Sequence, residues 1–91
     1  MSRKLKFLKK AQLQLNQIRN YIDINSNYEQ SDKFIKELKT ELFNLELFPF
    51  IGKNLEENYY LLVFKKNYLI NYKVEDKFVK ILRIINSKQE R

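Results

Sequence analysis

Residues 45–53, which read Leu-Glu-Leu-Phe-Pro-Phe-Ile-Gly-Lys, divide the chain into a helical half and a strand-forming half. The segment contains the only proline and the only glycine of the 91 residues. Because the residue before a proline is disfavoured in helical geometry, a helix that approaches from the N-terminal side must end before Pro49. We therefore predict a turn over residues 49–52, with helices before it and strands after it.

A short strand and two helices are predicted before this turn. Residues 3–8 alternate basic and apolar side chains, which indicates a strand with one solvent-exposed face. From about residue 9 the apolar positions follow the helical period in two stripes: Ala11, Leu15, Ile18 and Ile22, then Phe34, Leu38, Leu42 and Leu45. Between the stripes, either Ser26 with Glu29 or Asn27 with Gln30 fits a capping box that starts the second helix. Two helices with so short a joint form a helical hairpin.

Three strands are predicted after the turn, over residues 59–64, 68–74 and 78–85, with hairpin turns at 65–67 and 75–77. The first and third of these strands offer apolar side chains to both faces, although two helices can cover only one face of a small antiparallel sheet. An uncovered apolar face indicates a partner that lies across the sheet.

The predicted fold is therefore a single α+β domain over residues 1–91. An N-terminal strand and a helical hairpin precede a three-stranded antiparallel meander, and all strands form one twisted, mainly antiparallel sheet.

The composition excludes several classes of protein. The chain has no cysteine and no histidine, so disulfides, thiolate metal sites and the usual general base near neutral pH are absent. We expect no metal and no cofactor. No apolar run approaches the ~18–20 residues of a membrane span, and the basic N-terminus lacks the apolar core of a signal peptide. A cytoplasmic protein without membrane contact is expected.

The net charge of +7 is concentrated at the two ends of the chain. Residues 1–10 carry five basic side chains and no acidic one, and residues 61–91 carry eight basic and three acidic ones. Residues 11–60 carry five basic and eight acidic side chains. This asymmetry favours a polyanion or an acidic protein as the partner of whatever surface the two ends share. The alternative is that the lysines only keep a small domain soluble.

The order of elements and three segments together resemble the RelE/ParE superfamily, the toxins of bacterial type II toxin–antitoxin pairs. The three segments are residues 45–53, 67–74 and 81–88, and the resemblance covers residues 4–90. It implies a compact α+β toxin that a cognate antitoxin, typically acidic, neutralises by wrapping around it. It also implies one of two activities: ribosome-dependent cleavage of mRNA in the RelE branch, or inhibition of DNA gyrase in the ParE branch.

The resemblance implies that the RelE branch, which cuts mRNA, uses arginine and lysine side chains to hold the scissile phosphate. A further side chain transfers the protons. Leu69 stands where that branch often has an arginine, and Asn86 where it often has a histidine. Arg83 is retained, and Lys88 stands where an arginine is common. Arg83 and Lys88 are thus catalytic candidates only if the protein is a metal-independent mRNA endoribonuclease. The candidates for binding nucleic acid or antitoxin are Lys53, Lys65, Lys66, Lys73 and Arg91.

Regular alternation along the last strand places Arg83 on the same face as Val79, Ile81 and Ile85. There the arginine would hold a phosphate or an acidic side chain of the antitoxin, or else form an ion pair with a carboxylate of a helix. Alternation also places Tyr68 and Tyr72 in the core.

The absent arginine and histidine favour ParE-like inhibition of gyrase as the function. The alternatives are a RelE-like, ribosome-dependent mRNA endoribonuclease and a degenerate, inactive toxin. The expected partners are therefore a cognate antitoxin and, as the target, either DNA gyrase or the ribosome with its mRNA.

Overall fold

The computed structural model describes residues 3–87. Over that range the elements are β1 (Lys4–Phe7), α1 (Lys9–Asn25), α2 (Tyr28–Asn44), β2 (Lys53–Glu56), β3 (Tyr59–Phe64), β4 (Tyr68–Val74) and β5 (Phe78–Asn86). The strands form one sheet in the order β1-β5-β4-β3-β2, in which β1 runs parallel to β5 and the other neighbours are antiparallel. The predicted α+β fold is confirmed. Neither of the two helices is long and apolar enough to cross a membrane.

The predicted number of strands is wrong by one. A four-stranded antiparallel meander, and not a three-stranded one, follows the turn, because Lys53–Glu56 pairs with β3. All four residues of β2 are exposed, and its pairing is interrupted by a bulge between Asn54 and Glu56. A short edge strand with neither face buried has no alternating apolar pattern by which a sequence would reveal it.

The two helices form as their apolar stripes predict. In α1 the buried side chains are Ala11, Leu15 and Ile18, and in α2 they are Ser31, Ile35, Leu38 and Leu42. Of the two candidate N-caps, Asn27 is the one observed, since its side chain accepts a hydrogen bond of 2.8 Å from the Gln30 N–H. Phe34 is only partly buried, because it lies at the margin of the core against Phe64 and Tyr68.

Both helices pack on one face of the sheet, here called the inner face. A single core joins the helical stripes to inward side chains of the strands, among them Phe64, Ile70, Tyr72, Val74, Val79, Ile81 and Ile84. The opposite side, here called the outer face, carries the alternate residues of the same strands. The core placement of Tyr68 and Tyr72 is confirmed, with Tyr72 fully buried and Tyr68 packed against the core.

A bulge in β5 changes the predicted face of Arg83. The β4–β5 partners step from Asn71↔Arg83 to Tyr72↔Ile81, which leaves Leu82 unpaired. Because one extra residue reverses the alternation beyond it, Ile84 becomes the buried side chain and Arg83 lies on the outer face. The prediction that Arg83 shares a face with Val79 and Ile81 is therefore wrong.

The turn that separates the two halves is held by the core tyrosine of β4. The N–H of Gly52 donates a hydrogen bond of 2.9 Å to Tyr72 Oη. A Cβ atom at position 52 would lie 2.6 Å from that oxygen and 2.7 Å from the Leu61 carbonyl oxygen. The only glycine of the chain thus stands where no side chain fits.

Candidate functional site

Three lysines form a continuous row across the outer face, here called the lysine row: Lys6 on β1, Lys80 on β5 and Lys73 on β4. Lys6 lies opposite Lys80 in the parallel pair, and Lys80 lies opposite Lys73 in the antiparallel pair. The row exists because β1 joins the sheet beside β5, which brings the two basic ends of the chain together. The charge pattern predicts a basic surface that the two chain ends share. That surface is the outer face near β1 and β5.

One carboxylate faces two lysines of the row. The Glu75 carboxylate lies 3.2 Å from Lys80 Nζ and 3.5 Å from Lys73 Nζ. The hydrogen bond from Lys80, with the nearby positive charges, lowers the pKa of Glu75 below its usual value. Like charges opposite one another on a sheet are destabilising, so Glu75 offsets part of the repulsion within the lysine row.

Two lysines of the row also lie over aromatic rings. Lys6 Nζ is 5.5 Å from the centre of the Phe78 ring, and Lys73 Nζ is 5.3 Å from the centre of the Tyr59 ring. These cation–π contacts hold the ammonium groups over the sheet and occupy a face of each ring.

Arg83, the catalytic candidate of the sequence, lies one step along the same face. Its strand partner is Asn71, whose partner on β3 is Leu61. The buried Nε of Arg83 has no hydrogen-bond partner within residues 3–87, and no ion pair joins it to a helix carboxylate in that range. The predicted structural ion pair is thus not observed, and the arginine keeps a donor for a ligand.

The rest of the outer face is mostly apolar, as the sequence predicts. Leu61, Val63, Leu69 and Ile85 lie there and are only partly covered, with Val63 54% exposed. An open depression of about 340 Å³ is lined by Leu55, Glu56, Tyr59, Tyr60, Asn71, Tyr72 and Leu82. Basic side chains near β1 and apolar ones near β3 therefore share one surface.

The two tyrosines of β4 are poor candidates for a proton-accepting group. Burial raises the pKa of Tyr72, whose oxygen accepts the Gly52 N–H, and burial also raises the pKa of Tyr68. Tyr68 Oη accepts a hydrogen bond of 3.3 Å from the Asn86 side chain. A tyrosine can act as a base only after it loses its proton, so both shifts move it away from that role.

Lys65 and Lys66 lie in the β3–β4 turn at the far end of the sheet from the lysine row. Both have the left-handed backbone conformation, with φ of 51° and 68°. Lys65 Nζ is 2.7 Å from a Glu37 carboxylate oxygen, and this contact lowers the pKa of Glu37. Lys65 thus links α2 to the turn through this ion pair, although both lysines are exposed.

The other predicted site residues are dispersed. Lys53 lies on the exposed edge strand β2, opposite Leu61, so that β3 and β4 separate it from Arg83. Lys88 and Arg91 lie outside the described residues. Among the predicted residues that the structure describes, Arg83 lies near Lys73, and Lys65 adjoins Lys66 in the distant turn. The sequence analysis did not place Lys6 and Lys80, which complete the row, among the site candidates.

An exposed apolar segment was also missed by the sequence analysis. Around the buried Pro49, the side chains of Leu47, Phe48, Phe50 and Ile51 are 57–66% exposed. The Arg3 guanidinium lies 5.4 Å from the centre of the Phe50 ring. The signal was present as a run of large apolar residues in a turn, which is unusual unless a partner covers them.

Comparison with known proteins gives a family match and matches to solved structures, of which two are described here. The family model described as the ParE toxin of the type II toxin–antitoxin system parDE matches residues 5–91. The structure is similar to that of the chromosomal ParDE toxin–antitoxin system from P. aeruginosa, with a TM-score of 0.81 and 19% identity over 93% of this chain and 96% of that one.

A second solved structure, the RelBE2 toxin–antitoxin complex from Mycobacterium tuberculosis, matches with a TM-score of 0.71. The identity is 17%, and the match covers 94% of this chain and 99% of the other. A search of curated proteins gave no match.

Proposed function

This chain belongs to the ParE family of toxins from type II toxin–antitoxin systems, and from that premise we propose that it arrests bacterial growth by inhibiting DNA gyrase. In the superfamily that the sequence resembles, gyrase inhibition is the activity of the ParE branch. It requires a protein–protein contact and no chemical step on the toxin. A mostly apolar outer face with a basic margin fits that requirement.

The observation that carries this proposal is the environment of Arg83. Among the described residues, its partners across the outer face are Asn71 and Leu61, and its bulged neighbour is Leu82. None of these side chains can accept a proton near neutral pH. The carboxylate that lines the neighbouring depression, Glu56, lies on β2, with β3 and β4 between it and Arg83. Cleavage of RNA by its own 2′-hydroxyl needs a base and an acid beside the phosphate, so an arginine with no base beside it supports binding better than cutting.

A cognate antitoxin belongs to the proposal. The two similar solved structures described above are toxin–antitoxin systems, and this chain exposes apolar side chains on the outer face and around Pro49. A partner with apolar anchors and acidic side chains would cover these surfaces and offset the net charge of +7. Because gyrase is a cytoplasmic enzyme, the toxin would act in the cytoplasm.

The test measures both candidate targets with the same purified protein. Gyrase supercoiling of relaxed plasmid is followed while the toxin is titrated, and primer extension on a reporter mRNA is run in a cell-free translation reaction. We expect loss of supercoiling with intact mRNA. Cuts that depend on the ribosome, with gyrase unaffected, would overturn the proposal. If supercoiling continues and the mRNA stays intact, the chain is an inactive toxin and the proposal also fails.

The mRNA endoribonuclease is the second candidate, and the free Nε of Arg83 is the observation that favours it. If the protein cuts mRNA, Arg83→Ala should lower the cleavage rate by about 10²-fold or more, because a phosphate-holding group would be lost. Lys39→Ala, on the exposed side of α2, is the matched control and should leave the rate unchanged.

A further inference from the structure

We propose that the lysine row is a binding site for the phosphate backbone of duplex DNA. The inference goes beyond the proposed function, since binding of DNA to the isolated toxin requires no gyrase. It would place the toxin on the DNA segment near its target enzyme.

The first argument is the concentration of charge. Lys6, Lys80 and Lys73 are direct neighbours across three strands, and Lys4 lies on the same face of β1 opposite Phe78. Glu75 is the one carboxylate in contact with the row among residues 3–87. A fold that sets like charges opposite one another, and neutralises them only in part, leaves a strong positive potential for a polyanion.

The second argument is the spacing of the row. With about 4.8 Å between neighbouring strands, Lys6 and Lys73 are separated by roughly 10 Å. Over that distance a duplex presents about six phosphates, one for each ~1.7 Å of its axis. The three ammonium groups, held over the sheet across this span, can therefore contact two or three phosphates at once.

The third argument separates duplex DNA from single-stranded nucleic acid. Single-stranded nucleic acid is held largely by bases that stack on aromatic rings. Here a lysine already covers one face of the Phe78 ring and of the Tyr59 ring. Lysine binds phosphate as a point charge, but the contacts of Lys73 and Lys80 with Glu75 show that the row also accepts a carboxylate. The experiment therefore includes an acidic polypeptide as a competitor of the duplex.

The experiment measures binding of a fluorescent 20-base-pair duplex by anisotropy from 25 to 300 mM salt. The wild type is compared with the triple variant Lys6→Gln/Lys73→Gln/Lys80→Gln. The matched control is Lys33→Gln/Lys36→Gln/Lys39→Gln, which removes the same charge from exposed positions of α2. Circular dichroism establishes that each variant is folded.

We expect the triple variant of the row to bind about tenfold or more weakly at low salt. Its log–log salt slope should fall by about 0.9 for each phosphate contact that is lost. The control triple should retain most of the affinity. Glu75→Gln, which frees two lysines of the row, should bind more tightly than the wild type.

Three results would overturn the proposal. Equal losses in the two triple variants would show a general effect of net charge. Tighter binding of a single-stranded oligonucleotide would show that bases are recognised. If poly-glutamate binds as tightly as the duplex and depends equally on the row, the site is one for an acidic protein. Each result is independent of the supercoiling assay, so this inference and the proposed function can fail separately.

Discussion

At the scale of single residues, the contact between Gly52 and Tyr72 connects the turn to the core. Tyr72 is fully buried and stacks on Tyr60, with 5.5 Å between ring centres. Its oxygen reaches out of the core to accept the Gly52 N–H. The position of the turn, and with it the start of β2, therefore depends on one hydroxyl and on the absence of a side chain at position 52.

Gly52→Ala should destabilise the protein by about 1–3 kcal/mol, because the added methyl group would overlap the Leu61 carbonyl and Tyr72 Oη. Tyr72→Phe should cost about 1 kcal/mol, since the Gly52 N–H loses its acceptor. Tyr60→Phe is the matched control and should change little. Urea unfolding at neutral pH measures all three. A Gly52→Ala variant as stable as the wild type would show that a side chain at position 52 does not clash with Tyr72 Oη and the Leu61 carbonyl oxygen.

Arg83 shows at the same scale what a sequence pattern can miss. Its type and its position in β5 were evident, but its face depended on whether the strand was regular. One unpaired residue, Leu82, moves the guanidinium from the predicted face to the outer face. The bulge leaves no mark in the sequence, because every residue around it is compatible with a strand.

At the scale of elements, the long amphipathic segments were predictable and the short edge strand was not. The stripes of α1 and α2 determine their buried faces, because an amphipathic helix has only one orientation that hides its apolar side. Strand β2 pairs with β3 through its backbone and through the Asn54 side chain, which donates a hydrogen bond to the Tyr59 carbonyl oxygen, and all four of its residues are exposed. It has no alternating apolar pattern from which a strand could be predicted.

The start of α2 provides a test at this scale. Asn27→Ala should destabilise the protein by about 1 kcal/mol, because the Gln30 N–H would lose its side-chain acceptor. Ser26→Ala is the control, since Ser26 follows α1 and only its backbone N–H bonds to Ile22. Thermal and urea unfolding of both variants distinguish the two candidate boxes. If Ser26→Ala lowers the free energy of unfolding more than Asn27→Ala does, Ser26 and not Asn27 is the N-cap of α2.

At the scale of the whole molecule, the parallel pairing of β1 with β5 decides the distribution of charge. The first strand joins the sheet beside the last one, so basic residues from both chain ends meet on one face. Two carboxylates form ion pairs with lysines: Glu75 with the lysine row, and Glu37 with Lys65 at the β3–β4 turn. We expect both ion pairs to contribute to stability.

The pKa values of Glu75 and Glu37 are lowered in the folded protein, by their hydrogen bonds with Lys80 and Lys65 respectively. Such groups stabilise the fold above their unfolded pKa of about 4.3, and this contribution is lost as the pH falls through the folded values. The melting temperature should therefore decrease between about pH 5 and pH 3, while the protein gains positive charge.

The double variant Glu37→Gln/Glu75→Gln should show a smaller decrease over the same pH range, because neither side chain can then titrate. Glu41→Gln is the control, since Glu41 is exposed and makes no ion pair within the described part of the chain. Calorimetry at several pH values measures the decrease. Identical profiles for the double variant and the wild type would rule out a stabilising role for these carboxylates.

The sequence by itself determined the α+β class, the two helices, the turn at Pro49, the three longer strands of the meander and the concentration of charge at the chain ends. These features follow from local periodicity and from residues with restricted backbones. Only the tertiary structure decided the pairing of β2, the face of Arg83 and the assembly of Lys6, Lys80 and Lys73. Each of these depends on which strand lies beside which and in what register, and residues far apart in the sequence carry no local signal of that pairing.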